Sequence, residues 1–254
     1  MSGHSKWATI KRKKALIDSK RGKAFTKVIR EISMAAKNGG GNPDSNPRLR
    51  VAMDKARELN MPQDNIKRAI GRGTGEGGEV MHFEETTYEG YGPGGAAVIV
   101  EALTDNRNRT SSELKAVFSR NGGNMGEPGS VAWMFQPAGI ITVDRKRYEE
   151  DAAMSAALDA GADDFRATDQ AYEVVTPPDK LESVRQQLVA KGIEPSSAEM
   201  TRIPKTIVPL EGKNAEVMVR LLEVLEDHDD VQNVYANFDM SDKLLESLVE
   251  GARQ

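Results

Sequence analysis

Positive charge in this chain is confined to one end, and that restricts how the chain can be organised. Residues 2–72 hold 10 lysines and 8 arginines against 6 acidic residues, a net of +12, while the remainder holds 17 basic and 33 acidic residues, a net of −16. The overall net charge of −4 therefore conceals a basic head on an acidic body. Such an asymmetry implies that one part meets a polyanion and the rest faces elsewhere. At 254 residues the chain is long enough for about two domains. Aromatic residues make up only 5%, so the cores are expected to be aliphatic.

The absence of cysteine removes disulfides, thiolate catalysis and Cys-based zinc sites, and fits a reducing compartment. No stretch approaches the ~18 apolar residues of a membrane span. The N-terminal lysines are followed by no apolar core of the kind a secretory signal carries, so the expected location is cytoplasmic.

Residues 2–20 are polar and basic, with Trp7, Ile10, Leu16 and Ile17 thinly spaced. They read either as a solvated arm or as an arm that orders on a phosphate backbone. Residues 21–37 have helical periodicity: Phe25, Val28, Ile29, Ile32, Ala35 and Ala36 form an apolar stripe, with Lys20, Lys23, Lys27 and Arg30 opposite. That basic stripe is either a solvated face or a binding face, and the scarcity of acids beside it favours binding. A loop rich in breakers follows, and Asn46 is placed to cap a second helix with Pro47 at its first position. Leu49, Ala52, Met53, Ala56 and Leu59 form the inner face of that helix. A third helix opens at Pro62 with Ile66, Ala69 and Ile70 inward, and residues 71–79, GRGTGEGGE, read as a flexible linker.

Gly73, Gly75 and Gly78, and again Gly90, Gly92 and Gly95, have the spacing G-x-G-x-x-G. Neither set follows a strand and opens a helix, as dinucleotide binding requires, so both are read as turns.

Strands are expected at Phe83–Tyr88, Ala96–Leu103 and Val131–Phe135, with a helix begun by a capping box at Thr110 and Glu113 and ended by Gly122. A second unit follows. It comprises strand Gly139–Val143, helix Tyr148–Ala160, strands near Asp163–Ala167 and Tyr172–Val175, helix Asp179–Lys191 and strand Ser196–Ile203, the βαββαβ order of a ferredoxin-like fold. A helix through Val217, Leu221, Leu222 and Leu225, a strand Val231–Phe238 and a helix from about Asp242 complete the chain. The tail has too few strands to stand alone, and residues 83–136 lack a second helix. Joining the two makes one α+β domain with the ferredoxin-like unit inserted. The expected fold class is thus α+β multidomain: an N-terminal helical bundle plus two α+β domains, one ferredoxin-like and inserted into the other. The expected boundaries are 1–75, then 80–136 plus 205–254, with 137–204 inserted.

GHSKW at 3–7, KRGKAFTK at 20–27, NPRLR at 46–50, YEGYGPGG at 88–95, DNRNRT at 105–110 and NGGNMGEPGSVAWMF at 121–135 occur in order along the chain. Together they closely resemble the YebC family of bacterial regulatory proteins, whose mitochondrial relatives act as translational activators. The resemblance covers essentially the whole chain. It implies three domains, a cytoplasmic location and a non-enzymatic, nucleic-acid-binding role. The family is usually described as DNA-binding transcriptional regulators, and some members are associated with ribosomes and translation.

The candidate nucleic-acid-binding residues are Lys6, Lys11, Arg12, Lys13, Lys14, Lys20, Arg21, Lys23, Lys27 and Arg30, then Arg48 and Arg50. Their expected role is positioning on phosphate, which carries no sequence information itself. The partner is duplex DNA or structured ribosomal RNA, with the ribosome as a further candidate and the oligomeric state open. Trp7 either stacks on a base or anchors the arm. Arg107 and Arg109 either touch phosphate or pair with the acidic body. His4, His82 and His228 are far apart and lack metal-ligand spacing, so no metal or cofactor is expected. Glu226, Asp227, Asp229 and Asp230 read as solvated turn residues rather than acid–base groups, and no nucleophile motif is present.

Overall fold

The structure, a computed structural model, describes residues 21–76, 83–168 and 171–251. In chain order these form α1 (Arg21–Gly39), α2 (Pro47–Glu58), α3 (Gln63–Thr74), β1 (Glu84–Tyr91), β2 (Ala97–Thr104), α4 (Arg107–Arg120) and β3 (Asn124–Met125). There follow β4 (Phe135–Asp144), α5 (Glu150–Asp159), β5 (Asp164–Ala167), β6 (Ala171–Thr176), α6 (Leu181–Ala190) and β7 (Ser197–Pro204). The last elements are β8 (Val208–Pro209), α7 (Gly212–Glu226), β9 (Val231–Ala236), β10 (Phe238–Asp239) and α8 (Asp242–Gly251). The protein is mixed α and β, its two four-stranded sheets antiparallel throughout. The described residues fall into two compact units, 133–206 and the rest.

In the larger unit, α1 to α3 pack through Ile32, Ala35, Leu49, Ala52, Ala56, Ile66 and Ala69. The many alanines let the helix backbones approach closely. Asn46 caps α2 by accepting from the Leu49 amide at 3.1 Å, and its side-chain NH2 donates to the Ala35 and Gly40 carbonyls at 2.8 Å each. One buried side chain thus closes the end of one helix and opens the next. The linker expected over 71–79 is corrected in its first part, because α3 continues through Gly71 and Gly73 to Thr74. The reason is packing. A Cβ at Gly73 would lie 2.2 Å from the Ser33 carbonyl oxygen, so this glycine permits α3 to touch α1. Gly78 and His82 lie outside the described residues.

The sheet of this unit has the order β3-β1-β2-β9, so the strand that completes it comes from far along the chain. Val98, Val100 and Val234 pack beneath α4 and α7, which contribute Leu114, Phe118, Met218, Leu221, Leu222 and Leu225. The strand expected over Val231–Phe238 is interrupted at Asn237, whose side-chain oxygen accepts from the Ala97 amide at 2.6 Å.

Two further expectations are corrected. The helix α4 begins at Arg107, not at Thr110. Its cap is Asn106, which accepts from the Arg109 amide at 3.1 Å, while Thr110 is fully buried inside the first turn. Of the strand expected over Val131–Phe135 only the last residue is in a strand: a 3-10 turn at Ala132–Met134 precedes β4, which opens at Phe135. The cause is the buried carboxylate of Glu89, which accepts from the amides of Gly129, Val131 and Ala132 at 2.7 Å each. Amides spent on a side chain are unavailable to a ladder.

In the unit 133–206 the element order is βαββαβ and the sheet order β5-β6-β4-β7. Ile141, Val143, Tyr172 and Val174 form one core with Ala153 and Ala157 of α5 and Val184 and Leu188 of α6. Tyr148 stands before α5 rather than inside it, and its hydroxyl accepts from the Glu194 amide at 2.8 Å.

Candidate nucleic-acid interface

Of the twelve cations singled out in the sequence, Lys6, Lys11, Arg12, Lys13, Lys14 and Lys20 lie outside the described residues, as does Trp7. Arg21 opens α1. The structure brings Lys23, Lys27 and Arg30 together on one stripe of α1, as their spacing requires. That stripe does not face open solvent alone. It lies against the C-terminal end of α7. The Lys23 ammonium donates to the Asp227 carbonyl at 2.9 Å, and that of Lys27 to the Glu226 carbonyl at 2.5 Å. Arg30 donates to the Asp229 carbonyl and, at 2.8 Å, to the Asp230 carboxylate.

The physical logic is that of a helix end. The last carbonyls of an α-helix have no partner within the helix, and the macrodipole places partial negative charge there. Lys27 and Lys23 meet such carbonyls at the last residue of α7 and at its cap, Glu226 and Asp227, while Arg30 reaches the turn beyond them. Beside them, the Arg30 guanidinium stacks 5.3 Å from the Phe83 ring, and Met34, Phe83 and Leu103 form a small apolar cluster. Arg48 pairs with Glu31 at 2.7 Å and with Glu85. Burial opposes its charge, but the hydrogen bonds it donates to those two carboxylates raise its pKa above the usual arginine value. Arg50 donates to the carbonyls of Pro43 and Asp44 at 3.2 and 3.3 Å. Of the other head cations, Arg57 pairs with Asp54 at 2.6 Å, while Lys55 and Lys67 stand exposed on the outer faces of α2 and α3.

Sequence reasoning missed the group at the centre of this contact. Asp230 is not a solvated turn residue; its side chain is 3% exposed. One carboxylate oxygen accepts from Arg30; the other accepts from Arg109 and Thr110 at 2.7 Å each, with Thr104 at 3.3 Å. Burial alone would push the Asp230 carboxyl up, but the hydrogen bonds from Thr110 and Arg109 and the charge of Arg30 outweigh it and hold the group below the ordinary carboxylate value. Arg109 therefore takes the second of the two roles foreseen for it, pairing with the acidic body. The only local signal was the run EDHDD at 226–230, which does not distinguish one buried member from its exposed neighbours.

His228 flanks the same site. Its Nε2 lies 2.9 Å from Glu113, and its Nδ1 accepts from the Asp230 amide at 3.2 Å. Ligand atoms of Glu113, His228 and Asp230 come within 4.8 Å of one another, a set that can in principle hold a metal. The Arg109 guanidinium, however, already contacts Asp230 and lies 4.0 Å from Glu113, and it supplies the positive charge there. A cation would meet that charge at short range, so these residues do not favour a metal. Among the described residues no helix is long and apolar enough to cross a membrane.

Two family profiles match this chain. One is described as the TACO1/YebC protein N-terminal domain, over residues 5–76, and the other as the TACO1/YebC second and third domain, over residues 83–238. A protein of Pelotomaculum thermopropionicum named "Probable transcriptional regulatory protein" is 56% identical over 95% of this chain and 100% of its own length. One of the same name from Acidobacterium capsulatum is 58% identical over 94% and 97%. The crystal structure of a conserved hypothetical protein, Aq1575 from Aquifex aeolicus, is 42% identical, covers 90% of this chain and 94% of its own, and superposes with a TM-score of 0.82. With both profiles matched in order and relatives of this identity over their full length, the chain belongs to the TACO1/YebC family.

Proposed function

We propose that this protein is a nucleic-acid-binding regulatory protein, a DNA-binding transcriptional regulator that contacts the phosphate backbone through its basic N-terminal head. The observation that carries this reading is the charge division, +12 over residues 2–72 against −16 over the rest. Relatives named as transcriptional regulatory proteins support it. In this reading the arm cations Lys6, Lys11, Arg12, Lys13, Lys14 and Lys20 make the first phosphate contacts. Arg21, Lys23, Lys27, Arg30, Arg48 and Arg50 extend the surface. The protein acts in the cytoplasm without catalysis or cofactor. Its parts are three domains: the helical head, a central α+β domain and a ferredoxin-like domain carried within it.

A second reading is a translation factor bound to structured ribosomal RNA. One observation favours it: the lysines and the arginine of the α1 stripe donate to backbone carbonyls and a carboxylate of the chain itself, so α1 does not present them as a helix reading base edges. Crosslinking in living cells, with sequencing of both recovered DNA and recovered RNA, separates the two. Enrichment at discrete promoters supports the first, and enrichment at one ribosomal RNA segment replaces it with the second. Phosphate contact is tested by titrating a labelled duplex across salt concentrations. If ~8 phosphates are contacted, log K falls by roughly 7 per decade of salt. Replacing Lys11, Arg12, Lys13 and Lys14 by alanine lowers both affinity and slope; an unchanged slope would remove the arm from the binding surface.

A further inference from the structure

The stripe Lys23, Lys27 and Arg30 belongs to the most basic part of the chain, yet it rests on one of its most acidic turns. Glu226, Asp227 and Asp229 present backbone carbonyls to these side chains, Asp230 presents its carboxylate, and the Asp227 carboxylate lies 3.8 Å from Lys23. A row of oxygen acceptors along a cationic helix face is what a phosphate backbone also offers. Residues 23 to 30 span ~10 Å of helix axis. Over that length a duplex presents about six phosphates.

We propose that the turn at residues 226–230 is a built-in competitor for polyanions, which occupies the α1 stripe in the docked protein and gives it up when nucleic acid binds there. The inference rests on the nucleic-acid reading above and adds an autoinhibitory contact to it. The two occupants compete, because the turn lies against the stripe and the carboxylates of Asp227 and Asp230 repel a phosphate backbone brought to the same cations.

Two features make the contact releasable. The outer part of it is solvated: the side chains of Lys23 and Asp227 are 48% and 43% exposed, and exposed pairs of this kind are weak and screened by salt. The inner part leaves no stranded charge on the body side. When Arg30 departs, Asp230 keeps Arg109 and Thr110, both at 2.7 Å. The body therefore loses a partner without exposing an uncompensated buried carboxylate. Binding through the stripe is weakened by the fraction of protein that stays docked.

The chain has no cysteine, so a pair can be introduced on a clean background. The double variant Lys23→Cys, Asp227→Cys is bridged with a short bis-methanethiosulfonate reagent, which a thiol reductant later removes. Affinity for a labelled DNA duplex and for a labelled RNA hairpin is measured in the bridged and released states of this one protein, beside the wild type. The expected result is binding on the order of tenfold weaker when bridged, restored on release. If wild type binds and the bridged and released states bind equally, the competitor role is overturned while the nucleic-acid reading stands. If the cysteines do not bridge, the docked contact itself is overturned. If wild type binds neither polymer, the reading of the head falls and this inference with it.

Discussion

At the scale of single residues, Asp230 is the side chain on which most depends. It joins α1, β2, α4 and the turn before β9 through four side-chain donors. Replacing it by alanine removes the buried acceptor that Arg30, Arg109, Thr104 and Thr110 share, and is expected to destabilise the protein by about 3 kcal/mol in urea unfolding. Because its folded pKa is depressed, its contribution is fully present above the unfolded value, near 3.9, and is lost as pH falls through the folded value. Acid unfolding of wild type is therefore expected to begin below about pH 4, with Asp230→Asn showing a flatter dependence in that range. Glu89 is a second case: alanine there leaves three amides at Gly129, Val131 and Ala132 without their acceptor, at about 1–3 kcal/mol for each that water does not reach. Asn46 was legible in the sequence because a helix cap acts within three residues. Asp230 and Glu89 were not, because their partners lie 40 to 200 positions away in the chain.

At the scale of elements, periodicity identified the helices well and their ends less well. The inner faces of α1, α2 and α3 follow from the 3.6-residue repeat. The start of α4 was misplaced because Thr110 and Glu113 have the spacing of a capping box, while Asn106 four residues earlier does the capping. Thr110 and Glu113 instead serve Asp230 and His228. Gly73 shows the same limit. Helix propensity alone makes Gly73→Ala a gain of about 0.8–1 kcal/mol. The approach of the Ser33 carbonyl reverses the sign, and a loss of about 1–3 kcal/mol is expected in thermal or urea unfolding. In α4, Phe118 is fully buried against the sheet, and Phe118→Ala is expected to cost about 3–5 kcal/mol.

At the scale of the whole molecule, composition separated a basic segment from an acidic remainder, and element order foretold a mixed α and β protein. What composition could not show is that the two charge classes meet, since pairing of α1 with the end of α7 is a property of tertiary placement. Raising salt is expected to weaken that pairing and to increase amide hydrogen exchange along α1 before it affects the sheet cores. The order of the strands has a consequence in time as well. Strand β9, which flanks β2 in the finished sheet, is encoded more than a hundred residues after it, and the turn that covers the α1 stripe is encoded just before β9. At typical elongation rates that separation lasts on the order of ten seconds. Every newly made copy therefore spends its infancy with its cationic helix synthesised and its own acidic cover still unwritten, beside the ribosome that is making it.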